Sequence, residues 1–269
     1  MIKAGLKMAL VGLLLVAVAV MAGCGGGGSG SSSSGSLSLV LDKTSVASGG
    51  VVVATVTLSS STGQPVNDVP IRVMSSNNTV VASASGKTNM SGVAYVTLSA
   101  QWVNADKTIS LSAGSDVTGN SESKTLVVVA PKLTASFKAT SDHSIADGPA
   151  GGIVGIDIQG GTVKFLDGNG NPIVNQVIDV TITSKSSTDA NEVIVFYPSP
   201  GVTIPSPSGV LTVTTDNTGT AYVDPWVAYV RIPAKSQKNV VTFSWKASTE
   251  YAGQPYVLTG SMQFTISNS

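Results

Sequence analysis

The sequence predicts an all-β protein built from antiparallel sandwich or barrel layers, preceded by a leader that has no part in the fold. Apolar residues alternate strictly, turn residues recur at regular spacing, and no amphipathic helical window of useful length occurs. The stretch Gly50–Ser60, GVVVATVTLSS, sets Val52, Ala54, Val56 and Leu58 on one face and Thr55 and Thr57 on the other. That period of two marks a half-buried strand. Clusters of Gly, Pro, Asn and Ser punctuate such runs about every 8–12 residues, as expected of sandwiches. The chain has 269 residues, 42% hydrophobic and only 11% charged, with 29 glycines, 12 prolines and one cysteine. That length suits one or two domains. With a single cysteine there is no disulfide framework, so apolar cores must stabilise the fold. The formal net charge is zero and no basic face is implied, which argues against nucleic acid as a partner.

The first element is an address. Met1–Met8 carries Lys3 and Lys7 and no acid, and Ala9–Val20 is an unbroken apolar run, ALVGLLLVAVAV. A positive start, a short apolar run and small residues describe a secretory signal peptide over residues 1–23. A membrane-spanning helix needs about 20 apolar residues, more than this run supplies. Residues 24–36 follow as Cys24 and GGGGSGSSSSGS. Such a Gly/Ser tether behaves as a random coil spanning roughly 20 Å.

The Met21-Ala22-Gly23-Cys24 stretch resembles the lipobox of bacterial lipoprotein signal peptides, with Met21 in place of the usual leucine. The resemblance implies that Cys24 opens the mature chain and carries diacylglycerol through a thioether, usually joined by an N-acyl chain such as palmitate. Two or more acyl chains are what stable anchoring requires. Gly25, rather than aspartate, after the cysteine implies the outer membrane by the same analogy.

An internal repeat organises the rest. GQPVNDVPIRVMSS (Gly63–Ser76) recurs as GNPIVNQVIDVTITS (Gly170–Ser184). Matching the inward sets Val69, Ile71, Val73 and Ile178, Val180, Ile182 puts two extra residues in the second copy. TNMSGVAYV (Thr88–Val96) recurs as TDNTGTAYV (Thr215–Val223), each with a turn closing on a glycine, Gly92 or Gly219. This order of motifs resembles the bacterial Ig-like domains of the invasin/intimin type (group one). The resemblance implies two tandem Ig-like antiparallel β-sandwiches, domain 1 over residues 37–130 and domain 2 over 131–269. The second copy departs from the pattern in two ways. Pro225 stands where the first copy has Leu98, and about twenty more residues separate its motifs, an insertion around 189–209.

Little in the chain suggests catalysis, a cofactor or a metal. His143 is the only histidine and reads as a solvated loop residue in ATSDHSIADG. A cluster of His and Cys ligands is excluded by count. Asp142, Asp147, Asp157, Asp189 and Glu192 read as surface acids, with no spacing that pairs them. Asp167–Asn171, DGNGN, begins like a calcium loop, but Pro172 and Ile178 occupy the places where an EF-hand needs Gly and Glu. A hairpin turn explains the five residues better, and the repeat places them on the turn before Asn171-Pro172-Ile173. Asn77 and Asn89 sit in N-x-S/T triplets that an Asn/Ser/Thr-rich composition produces unaided.

The candidate binding surface lies in domain 2. YVDPWVAYVRIP (Tyr222–Pro233) gathers Tyr222, Trp226, Tyr229 and Arg231, and the insertion adds Tyr197 among prolines. Tyr, Trp and Arg are enriched at interface hot spots, and aromatic faces stack on sugars. The alternative is that Trp226 and Trp245 fill the sandwich core. The expected function is a non-enzymatic, lipid-anchored envelope protein, a structural or adhesive spacer presenting a surface to a protein or polysaccharide. The rival is a carbohydrate-binding or accessory lipoprotein using Tyr197, Trp226 and Tyr229.

Overall fold

The computed structural model describes residues 35–82, 86–116, 119–138, 141–146, 148–186, 196–198, 208–223 and 225–269. Cys24, the leader and the Gly/Ser segment up to residue 34 lie outside them. In the first sandwich the strands are β1 (Ser36–Leu41), β2 (Ser45–Ala47), β3 (Val51–Ser59), β4 (Pro70–Ser75), β5 (Val80–Ala82), β6 (Gly86–Lys87), β7 (Val93–Ala100), β8 (Lys107–Ser115) and β9 (Ser121–Val129). They form two sheets, ordered β1-β3-β7-β5 and β2-β9-β8-β4-β6. One sheet thus runs first, second, fifth, fourth along the main strands, and the other carries the third, sixth and seventh, which is the Ig-like arrangement. Pairing is antiparallel except for β2, which runs parallel to β9 with Ser45 facing Val127.

The alternation in β3 turns Val52, Ala54, Val56 and Leu58 inward at 1% exposure or less. From the other sheet they meet Ile71, Ile109, Leu111, Leu126 and Val128, each at 2% or less. Burying each large aliphatic side chain contributes about 1.5–3 kcal/mol. The turn before β7 requires its glycine. Gly92 has φ +71°, and a Cβ there would collide with the carbonyl of Leu58.

The second sandwich repeats the plan with longer strands: β10 (Lys132–Phe137), β11 (His143–Ile145), β12 (Ile153–Ile158), β13 (Gly161–Leu166), β14 (Val177–Ser186), β15 (Phe196–Pro198), β16 (Ser208–Thr214), β17 (Thr220–Val223), β18 (Trp226–Arg231), β19 (Lys238–Tyr251) and β20 (Gln254–Asn268). One sheet is β11-β20-β19-β14-β16, and the other is divided into β10-β13-β17 and β12-β18-β15. Ile156, Ile158, Phe165, Ile178, Val180, Phe243 and Ile266 form its core at 1% exposure or less. Within the predicted insertion, Phe196–Pro198 forms β15 and Ser208 opens β16; residues 187–195 and 199–207 lie outside the described residues.

The division of the second sheet explains Pro225. β12 and β13 continue one another, as do β17 and β18, and the pairing keeps one register across the gap. Ile158 faces Trp226, and three residues along each strand Gly161 faces Val223. Alternation changes phase there on both strands: Val163, Phe165, Ala221 and Val223 point inward on one side of the gap, Ile156, Ile158, Ala228 and Val230 on the other. Proline has no N–H for the ladder and glycine favours a bend, so the sheet kinks without losing its core.

The repeat is real at the level of atoms, but its register differs from the sequence match. Asp68 and Asn175 take the same left-handed conformation, with φ 60° and 57°. The next residues, Val69 and Gln176, donate their N–H to the buried hydroxyls of Thr88 and Thr215 at 3.0 and 2.9 Å. Ile71 therefore corresponds to Ile178 and Val73 to Val180, with no extra residues between. Gly219, with φ +74°, approaches the Phe165 carbonyl as Gly92 approaches Leu58.

His143 is not a solvated loop residue. It opens β11, paired in parallel with β20 beside Ile266, and its half-buried ring meets Phe264 edge-on at 6.3 Å. Its Nε2 is buried and has no hydrogen-bond partner among the described residues. The prediction failed because pairing to a distant strand, rather than local polarity, sets its surroundings.

The sandwiches are joined without a spacer. β9 ends at Val129, Ala130 and Pro131 are buried, and β10 begins at Lys132. Tyr256 donates its hydroxyl to the Val103 carbonyl at 2.9 Å, a buried bond between the two sandwiches. Trp102 meets Tyr251 edge-on at 5.3 Å, and Tyr251 in turn meets Phe165 at 5.6 Å. Gly168 sits so close to Ala47 and Val129 that a Cβ would not fit.

Candidate functional site

Two elements position the predicted surface. β18 alternates, with Ala228 and Val230 in the core at 0% and 1% exposure. Tyr229 and Arg231 therefore stand on the outer face of the sheet. Across from them on β12 lie Gly155 and Ile153, and Asp157 faces Val227. The Tyr229 ring lies over Gly155, where a Cβ would meet it at 3.4 Å. A larger residue at 155 would push the ring off the sheet. Ile153 beside Arg231 is 68% exposed and Tyr229 is 37% exposed.

Tyr197 and Trp226 join the same small sheet through their backbones. Tyr197 of β15 pairs with Val227, and Trp226 pairs with Ile158 on one side and Pro198 on the other. The four predicted residues thus share two neighbouring strands, β15 and β18. Trp245, the other tryptophan assigned to the core, packs at its rim. Its ring contacts Phe137 at 4.9 Å and covers Gly260.

Towards the kink, the outer face carries Tyr222 on β17, 65% exposed and paired with Thr162. A groove of about 550 Å³ opens here, with Gly160 and Gly161 in its lining. Tyr222, Asp157, Gln159 and Lys138 furnish its polar and aromatic groups. Gly161 has no room for a side chain, because the Phe137 ring fills the place of its Cβ. Sequence reasoning named Tyr222 and Asp157 separately. It missed Lys138, Gln159 and the glycines, whose only signal was the Gln159-Gly160-Gly161 triplet sixty-odd residues from Pro225.

The acids are dispersed. Asp142 accepts the Thr265 N–H at 2.7 Å, while Asp157 stands on the outer face of β12. Asp147, Asp189 and Glu192 lie outside the described residues. Asp167 folds the DGNGN turn, its carboxylate accepting from the N–H groups of Asn169 and Asn171 and from the Asn171 amide at 2.8–3.0 Å. Asn77 and Asn89 likewise cap local turns through their side-chain oxygens. Among the described residues no group of three or more His, Cys, Asp or Glu is placed to hold a metal ion.

No family model matches the chain, and no curated protein does. Solved structures do resemble it. The adhesin InvE of Yersinia pseudotuberculosis is 18% identical over 88% of this chain and 61% of its own, with a TM-score of 0.38. The D0-D1 domain of intimin is 20% identical over 84% of this chain and 97% of its own, with a TM-score of 0.32. Invasin, described as a bacterial integrin-binding protein, is 16% identical over 85% of this chain and 39% of its own, with a TM-score of 0.35. The chain spans less than two thirds of the InvE chain.

Proposed function

We propose that this chain is a non-enzymatic protein of the bacterial cell envelope, anchored in the outer membrane through lipid on Cys24. Residues 1–23 serve as the signal peptide and the Gly/Ser segment links the anchor to two Ig-like domains that meet at Ala130-Pro131. The second domain presents a binding surface to a protein or polysaccharide, and the first sets its distance from the membrane. The observation that carries this reading is the outer face of β12 and β18. Arg231 and Ile153 are exposed there and the Tyr229 ring lies part-exposed over Gly155, on a strip that core packing does not use. Hot-spot residue types on strands already held by ladder hydrogen bonds make a binding surface of low ordering cost.

The test follows the protein on living cells. Wild type is expected in the membrane fraction, labelled by a fatty-acid probe, and Cys24→Ser is expected in the soluble fraction without label. Protease applied to intact cells is expected to release domain 2 peptides, and the double variant Tyr229→Ala, Arg231→Ala to reduce adherence of cells to a host or polysaccharide surface. Unlabelled wild-type protein refutes the anchor. Complete protection from protease refutes the adhesive role.

A further inference from the structure

The kink in the second sandwich does more than bend a sheet. Two strands that keep one register across a gap leave a place where the sheet surface drops to backbone. Gly160 and Gly161 line that place, and the Phe137 ring backs Gly161 from the core side. Tyr222 rises on one side with most of its ring in solvent. Asp157 and Lys138 bring one carboxylate and one ammonium, and Gln159 an amide that both donates and accepts. The volume, about 550 Å³, falls in the usual range of small-ligand sites, about 300–1,000 Å³.

From this lining we propose that the groove binds a short stretch of neutral saccharide. An aromatic face packs against the C–H face of a pyranose ring, and hydroxyls need both donors and acceptors around the rim. Among the described lining residues one carboxylate stands against one ammonium, which gives no net pull on an anionic polymer. Tyr222 is the stacking residue, Asp157 and Gln159 accept from ring hydroxyls, and Lys138 donates.

The internal repeat supplies a control. Tyr95 occupies the same place in the Ala-Tyr-Val strand of the first sandwich and is 65% exposed, as is Tyr222. It lies opposite Thr55 on a ladder that runs unbroken from Val51 to Thr57. Exposure and sequence are matched, and the kink is the difference.

This proposal rests on the reading that domain 2 presents the binding surface, and its failure is distinguishable from failure of that reading. The full-length protein in detergent micelles is screened against an array of neutral and anionic oligosaccharides, and Kd is measured for the tightest. A neutral oligosaccharide is expected to bind, and Tyr222→Ala to weaken it about tenfold. Asp157→Asn and Lys138→Ala are expected to weaken it several-fold, and Tyr95→Ala to leave it unchanged. An unaltered thermal midpoint certifies each variant's fold. No bound neutral oligosaccharide, a preference for anionic ones, or equal loss in Tyr95→Ala overturns the assignment. Protease protection on intact cells, by contrast, overturns the adhesive reading whatever the array shows.

Discussion

Replacing Tyr256 with phenylalanine removes one oxygen atom from the contact between the two sandwiches. That oxygen donates to the Val103 carbonyl at 2.9 Å, with Tyr256 at 4% and Val103 at 7% exposure. A net hydrogen bond contributes about 1 kcal/mol, and a buried carbonyl left without its donor adds a desolvation cost. The ring stays, so its packing against Phe165 at 5.2 Å is kept. The expected loss is about 1–2 kcal/mol, or about 2–8 °C in Tm for a chain of this size. The pH dependence gives an independent check. Burial pushes the Tyr256 hydroxyl above its usual range, and repulsion from Tyr251 adds to it. A raised folded-state value means the contribution is complete below the unfolded value of about 10. It disappears as pH rises through the higher folded value. Calorimetry of wild type and Tyr256→Phe from pH 7 upward is expected to show a gap in Tm that closes on the alkaline side. No measurable gap at neutral pH, or one that persists through the tyrosine titration, refutes the claim that this bond joins the sandwiches.

Two further outcomes probe local features. Partial burial of Glu122 opposes its ionisation, yet hydrogen bonds from Lys124 and from the Leu39 N–H at 2.7 Å hold its carboxyl below the usual range. Its contribution is therefore present above about pH 4.3 and lost as pH falls through the lower folded value. Glu122→Gln is expected to cost about 1 kcal/mol at neutral pH in urea titrations, a difference that shrinks in acid. Gly219→Ala must carry a Cβ into the Phe165 carbonyl and Pro172 at φ +74°, whereas Gly170→Ala, at φ +84°, meets nothing within 4 Å. Both suffer left-handed strain of about 1–2 kcal/mol. Only Gly219→Ala is expected to lose clearly more, and equal losses by calorimetry would contradict the close approach.

Local patterns were readable and distant partnerships were not. The alternation of Gly50–Ser60 named the inward residues of β3 correctly, because one strand against one core needs only period two. The same periodicity misled the repeat match, since shifting Val69-Ile71-Val73 by two positions leaves an equally apolar face. The left-handed Asp68 and Asn175 decide the register, and neither is hydrophobic. Pro225 was visible as a departure, but its meaning needs the glycines of the partner strand. His143 and Trp102 acquire their surroundings from strands more than a hundred residues away. Of the candidate surface, Tyr229 and Arg231 were legible as hot-spot types on one strand face. The groove beside them was not, for its lining comes from three stretches of the chain that only the sheet brings together.

The parallel pairing of β2 with β9 has a mechanical consequence. A pull between the N-terminal end of the first sandwich and the second sandwich enters at Ser36 of β1, and once β1 is drawn off β3 it acts on β2 and leaves through Val129 at the end of β9. Because the two strands run the same way, that load acts along them in shear. The ladder bonds, with the flanking bonds from Val127 N to Thr44 O and from Ser48 N to Val129 O, resist together rather than unzipping one at a time. Resistance to forced unfolding is set by the unfolding rate. A short clasp across the strands that bear the tension therefore sets how fast the first sandwich opens when it is pulled.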